Sequence, residues 1–169
     1  MNYCDLRPFD SNNGIGIGTT IFFSGCRFHC PNCFNKEAQD FNYGNIYTKE
    51  VENKFMEYVL DDNVKGISIL GGEPLMQTTD DSLLNLLKRI KKESNKEIWM
   101  WTGFVYETAI LDEKRKEILD YIDVLVDGQF VESKKVLNLK FRGSTNQRII
   151  DLNKTRLTGK IIEKTEFYK

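Results

Sequence analysis

Thr19-Thr20-Ile21-Phe22-Phe23-Ser24 runs directly into Gly25-Cys26-Arg27-Phe28-His29-Cys30-Pro31-Asn32-Cys33. The first six residues are short, apolar, β-branched and aromatic, the signature of a buried strand. The nine that follow form a polar loop with cysteines spaced C-x3-C-x2-C. A buried strand that empties into a loop of soft ligands suits an α/β fold, where ligands sit at the C-terminal ends of the strands.

Three more strands are expected outward from this stretch, at Gly66–Leu70, Glu97–Thr102 and Ile122–Val126. Helical patterns lie between them. Val51, Phe55, Tyr58 and Val59 share one helical face, with Thr48 as the cap. Leu83, Leu84, Leu87 and Ile90 make a second stripe. Asp80 and Asp81 open that helix, and Lys88, Arg89, Lys91 and Lys92 close it, in the charge order the helix dipole favours. A third helix is expected within Tyr106–Leu119. Alternating strands and helices predict a parallel sheet with right-handed crossovers. The units are too few for an eight-fold barrel, so an open, partial parallel β/α barrel is expected. Residues 1–150 make its core domain. Residues 151–169 are weakly patterned and read as a C-terminal extension or tail, broken near Gly159.

On this reading the unusual residues share one rim. The cysteines follow the first predicted strand, Gly71-Gly72-Glu73-Pro74 the second, Thr102-Gly103 the third and Asp127-Gly128 the fourth.

The chain has 169 residues, 40% hydrophobic and 29% charged, the profile of a single globular domain. A net charge of −1 recruits neither nucleic acid nor an anionic membrane. No apolar run approaches the ~20 residues of a membrane span. Met1-Asn2-Tyr3-Cys4-Asp5 has no signal-peptide pattern. A cytoplasmic protein with reduced thiols is expected. Gly14-Ile15-Gly16-Ile17-Gly18 precedes a strand and lacks the Gly-Lys-Ser/Thr of a phosphate loop.

Three of the four cysteines fall within eight residues, which suits a metal site better than two disulfides. Three thiolates on one short loop can hold a four-iron cluster and leave one iron without a protein ligand. Zinc is the alternative, with His29 or the distant Cys4 as fourth ligand. Cys4 also reads as a spare thiol, and His29 as a second-shell donor or a solvated loop residue. Trp99 and Trp101 alternate with Met100 and so share one sheet face.

The cysteine spacing after the first strand is similar to the signature of the radical S-adenosylmethionine superfamily. Gly71-Gly72-Glu73-Pro74 resembles its second signature. Cys33-Phe34-Asn35, Ile98–Gly103, Val124–Gly128 and Arg142–Arg148 look like the activase family of the anaerobic (class III) ribonucleotide reductase. This likeness covers about residues 1–150. It departs at Ile15, where relatives usually carry proline, at Gln129, where many carry lysine, and at Glu73, where aspartate is common in the subgroup.

The resemblance implies a 4Fe-4S cluster on Cys26, Cys30 and Cys33. Methionine's amino and carboxylate groups chelate the open iron, and reductive cleavage of S-adenosylmethionine yields a 5′-deoxyadenosyl radical. It implies that Gly71 and Gly72 let the backbone approach the methionine, with a plain strand-to-helix turn as the other reading. Glu73 is either a surface charge or an acceptor behind the loop. Asn32 and Phe34 approach the adenine, though Phe34 fits a core equally well. Thr102 and Asp127 face ribose hydroxyls, with Asp127 alternatively capping the turn at Gly128. The implied protein substrate is a glycine near the C-terminus of the large reductase subunit, docked in part by Arg142–Arg148. A low-potential donor such as flavodoxin or ferredoxin supplies the electron. Two other readings stay open: a radical enzyme acting on a free metabolite or another glycyl-radical enzyme, and a non-enzymatic zinc module.

Overall fold

Buried strands need both faces covered, and the register shows how this chain does it. The computed structural model describes residues 1–169. Its strands are β1 (Asn2–Asp10), β2 (Gly18–Phe23), β3 (Asn45–Ile46), β4 (Gly66–Gly71), β5 (Glu97–Trp101), β6 (Val124–Asp127) and β7 (Arg148–Asp151). They form one mixed, unclosed sheet in the order β3-β1-β2-β4-β5-β6-β7. Neighbours among β2, β4, β5 and β6 are parallel, as the alternation of elements predicts.

The fully parallel sheet of the sequence reading needs correction at its edges. β1 and β7 are antiparallel to their neighbours, and neither was expected as a strand. β1 carries Asp5, Arg7 and Pro8 among its apolar residues, which hides the strand pattern. β3 covers only Asn2 and Tyr3, and Pro8 falls at an irregularity between Arg7 and Asp10. Proline is tolerated at such interruptions because no ladder bond is lost.

Strand side chains alternate between faces. Ile21, Ile69, Met100, Leu125 and Ile150 lie in register across the sheet. All five are fully buried. The helices α1 (Lys49–Val59), α2 (Ser82–Glu93), α3 (Tyr106–Ala109), α4 (Glu113–Leu119) and α5 (Leu152–Thr158) complete the chain. Phe55, Leu83, Leu87, Ile90, Ile118 and Leu152 join the strand row in one cluster, so the helices pack on this face. Thr48 caps α1, its Oγ1 accepting from Val51 N at 3.4 Å. The single helix expected within Tyr106–Leu119 is two, because Asp112 starts a new one by accepting from Arg115 N at 2.9 Å.

The opposite face carries a smaller core of Trp99, Val124, Val126 and Ile149. Trp99 and Trp101 stack there at 5.7 Å, on the shared face that their spacing predicts. No α-helix covers them. Gly159 ends α5 with φ of 69°, and the chain then returns beneath this face. Lys164 N donates to Ile149 O at 2.7 Å, Phe167 packs on Trp99, and Tyr168 joins the cluster. No helix is long and apolar enough to cross a membrane.

Removing buried methylenes leaves a cavity that the core closes only in part. Leu87→Ala therefore lowers unfolding free energy by about 2–5 kcal/mol in urea titration. Leu157→Ala, at a residue 86% exposed, changes it by less than about 0.5 kcal/mol.

Candidate active site

The cysteine loop is built by backbone bonds at the end of β2. Gly25 N donates to Ala38 O at 2.7 Å and Cys26 N to Gln39 O at 3.0 Å. The buried Gln77 amide donates to Ser24 O at 2.9 Å. His29 and Asn32 take left-handed backbone angles, φ 50° and 55°, which curl the loop. A 3.1 Å bond from Cys33 N to Cys30 O closes its last turn. His29 Nδ1 lies 3.0 Å from Gln39 Oε1, within the loop's own frame.

Cys26, Cys30, Asn32, Cys33 and Phe34 line one cavity of about 610 Å³, and Gly71, Gly72, Glu73 and Thr102 line it too. Of the residues expected on the rim, Pro74 and Asp127 lie outside this wall. The three thiols are half-buried. Burial pushes the Cys26 thiol up; the backbone amide of Phe28 pulls the other way, and Glu73, Cys30 and Cys33 add repulsion. Burial and then Cys33 raise Cys30, against the amide of Phe130. The loop therefore resists holding bare thiolates and gains from a cationic centre that would deprotonate them. A four-iron cluster spreads its thiolates over separate irons, and three sulfurs around one cavity fit that demand. Cys4 stands apart on β1, its Sγ 3.5 Å from Phe22 O.

Gly71 and Gly72 were expected to clear space for a ligand. The structure gives a different reason for the glycines. Gly71 has φ of 124°, and a Cβ on it would run into the Phe23 backbone. A Cβ on Gly72 would meet the carbonyls of Ala38 and Gly25. Protein fills the place of each side chain, so the turn itself demands glycine.

Glu73 is no surface charge; it is 1% exposed. One carboxylate oxygen accepts from Leu75 N at 3.0 Å and Thr102 Oγ1 at 2.7 Å, the other from Gly103 N at 2.6 Å. Burial outweighs these bonds and pushes its pKa up to about 7. Thr102 also accepts from Phe104 N at 3.1 Å, so its hydroxyl works inside the protein. Asp127 is buried against Arg148, which also grips Glu107, and accepts from Tyr106 N at 2.8 Å. These partners, in place of a ribose, occupy its carboxylate. Phe34 is fully exposed, so the core role is excluded for it.

Phe28 and Gln77 escaped the sequence reading, and Gln129 was met there only as a departure from relatives. Phe28 packs edge-on against Phe104 at 4.9 Å and abuts Gly103. Gln129 Oε1 lies 3.8 Å from Cys30 Sγ. Gln77 had no signal beyond its place after a turn. Within Arg142–Arg148 the two arginines part: Arg148 is engaged by Asp127 and Glu107, while Arg142 lines the cavity.

The three thiols are half-buried around one cavity at the end of an α/β sheet, and comparison with known proteins places the chain among iron–sulfur proteins. The family described as a 4Fe-4S single cluster domain matches residues 12–150. The anaerobic ribonucleoside-triphosphate reductase-activating protein of Vibrio cholerae is 40% identical over 152 residues, 88% of this chain and 97% of the relative. That of Escherichia coli K12 is 41% identical over 150 residues, 87% and 96%. That of Enterobacteria phage T4 is 31% identical over 150 residues, 88% and 93%. The chain belongs to the family of anaerobic ribonucleoside-triphosphate reductase-activating proteins.

Glu73→Gln must turn an amide NH2 toward donors that now meet oxygen. Loss of about 1–3 kcal/mol is expected in thermal unfolding of the cluster-free chain. A folded pKa near 7 against an ordinary 4.5 favours folding at low pH, and that contribution disappears as pH rises through 7. The Gln variant shows a flatter stability profile across this window.

Proposed function

We propose that this chain is an enzyme that reductively cleaves S-adenosylmethionine with a 4Fe-4S cluster on Cys26, Cys30 and Cys33. Its product is a glycyl radical on the large subunit of the anaerobic ribonucleotide reductase. One observation carries the reading: three thiols, and no fourth, line the cavity walled by the Gly-Gly-Glu turn. The activating proteins that share about 40% of its sequence support the choice of target.

Bound to three thiolates, the cluster supplies a low-potential electron and one iron position free for a ligand. The chain does the rest. The Phe28 and Phe130 amides face the Cys26 and Cys30 sulfurs and stabilise their charge. Glu73 ties the turn after β4 to Thr102 and Gly103 after β5, which holds the cavity walls at fixed spacing. Phe34 offers an exposed ring at the mouth for adenine to pack on. Asn32 stands beside it with free backbone polar groups. Asp127 binds Arg148 and accepts from Tyr106 N, which ties the end of β6 to β7 and to the start of α3, a positioning role.

The architecture behind this reading is an open, partial parallel β/α barrel of the radical S-adenosylmethionine type. Residues 1–150 are its core domain and residues 151–169 an extension. Four parallel strands, with helices on one face and an open cavity at their C-terminal ends, support it. The electron comes from a low-potential protein such as flavodoxin or ferredoxin. Four free cysteines suit a reducing cytoplasm.

The test is anaerobic reconstitution with iron and sulfide, reduction, and assay for 5′-deoxyadenosine with and without the large subunit. A glycyl-radical signal by electron paramagnetic resonance is expected only in the mixture. Cleavage without any radical on the reductase would shift the assignment to another glycyl-radical enzyme or a free metabolite. Cys30→Ala is expected to lose the intact cluster and all cleavage; full activity in that variant would refute the ligand set.

A further inference from the structure

The chain leaving β6 is strapped down where it passes the cysteine loop. Gly128 turns it with φ of 96°, and Gly128 N donates to Phe104 O at 3.0 Å. Gln147 Nε2 donates to Gly128 O at 2.9 Å, and Asn146 Nδ2 to Gln129 O at 2.8 Å. Val131 N donates to Ser144 Oγ at 3.1 Å. The remaining residue of this stretch, Phe130, turns its amide to the Cys30 sulfur.

The Gln129 side chain points the same way. Its Cγ lies 3.4 Å from the place of a Cβ on Gly103, whose N–H is held by Glu73. Its amide reaches Cys30, 99 residues away in sequence, where the thiol donates to Oε1 at 3.8 Å. Cys26, by contrast, is met by the Phe28 amide of its own loop. The Gln129 amide makes no other hydrogen bond to the protein and otherwise faces the cavity.

Ligation must invert this contact. A cysteine that binds metal has lost its proton, and its sulfur then accepts and cannot donate. An amide oxygen held against that sulfur would repel it. Glutamine carries an acceptor and a pair of donors on one terminal carbon. With no other partner to lose, the Gln129 amide can turn over and present Nε2–H where Oε1 now lies.

We infer that Gln129 is a positioning residue that donates an N–H···S hydrogen bond to metal-bound Cys30 and so raises the reduction potential of the centre. Hydrogen bonds to ligand sulfurs move such potentials because they stabilise the extra negative charge of the reduced state. The inference rests on the cluster ligands proposed above.

Two experiments test it. The full chain is reconstituted anaerobically with iron and sulfide and titrated without nucleotide, with the reduced state followed by electron paramagnetic resonance. Gln129→Met keeps the length of the side chain and loses the donor, and its midpoint potential is expected to fall below that of the unaltered chain. Gln129→Glu puts a carboxylate in the same place and falls further. Gln129→Lys restores a donor and lies at or above the unaltered chain. In the second experiment the glutamine side-chain amides carry 15N. Pulsed resonance of the reduced cluster is expected to show a 15N coupling that Gln129→Met lacks. An unaltered potential in Gln129→Met overturns the inference, as does a 15N coupling that is absent from the start or survives in that variant. Potentials in the stated order, in a chain that never yields 5′-deoxyadenosine, would sink the proposed function and leave the role of Gln129 standing. A chain that assembles no 4Fe-4S cluster overturns both.

Discussion

The ends of β2 and β4 meet backbone to backbone, and the site is built on that contact. Gly72 N donates to Phe23 O at 2.7 Å and Glu73 N to Gly25 O at 2.9 Å. No side chain fits between them, as the crowded Cβ positions of Gly71 and Gly72 show. The cysteine loop thus leaves one strand already fastened to the turn of its neighbour. The Glu73 carboxylate carries the same fastening to β5 through Thr102 and Gly103. Three strand ends are joined into one frame before any ligand arrives, and such preorganisation is what positioning chemistry requires.

The sheet treats its two faces differently. One is sealed by helices and an unbroken row of aliphatic side chains. The other is lined by a few aromatics and otherwise left open as the cavity. On that side the segment between β6 and β7 forms part of the wall, through Gln129, Lys135 and Arg142, and the cavity stays open to a ligand. The same openness leaves apolar surface such as Phe34 in water, a cost that a folded chain carries at functional places more often than elsewhere.

Much of this was legible in the residues. Thr19–Ser24 is apolar without alternation because both of its faces are buried, and such a run declares a central strand. The cysteine spacing declares a ligand loop. β1 was hidden because an edge strand tolerates charge and proline, so Asp5, Arg7 and Pro8 mask its pattern. Glu73 was ambiguous because its donors, Thr102 and Gly103, are 29 and 30 residues away. Sequence reveals a carboxylate but not whether distant amides will converge on it. Arg142 was read only as part of a docking stretch, because its platform, Tyr168, lies in a segment with no periodic pattern. Conversely, the glycine turn was found on good grounds but for an incomplete reason, since packing alone requires it.

Both tryptophans of the chain stand side by side on the open face, and Trp101 is part of the cavity wall. Indole emission from this protein therefore originates at a single place, at the wall of the cavity that the thiols also line. An absorbing chromophore there would dim it by energy transfer, so the chain carries a built-in optical gauge of what its cavity contains.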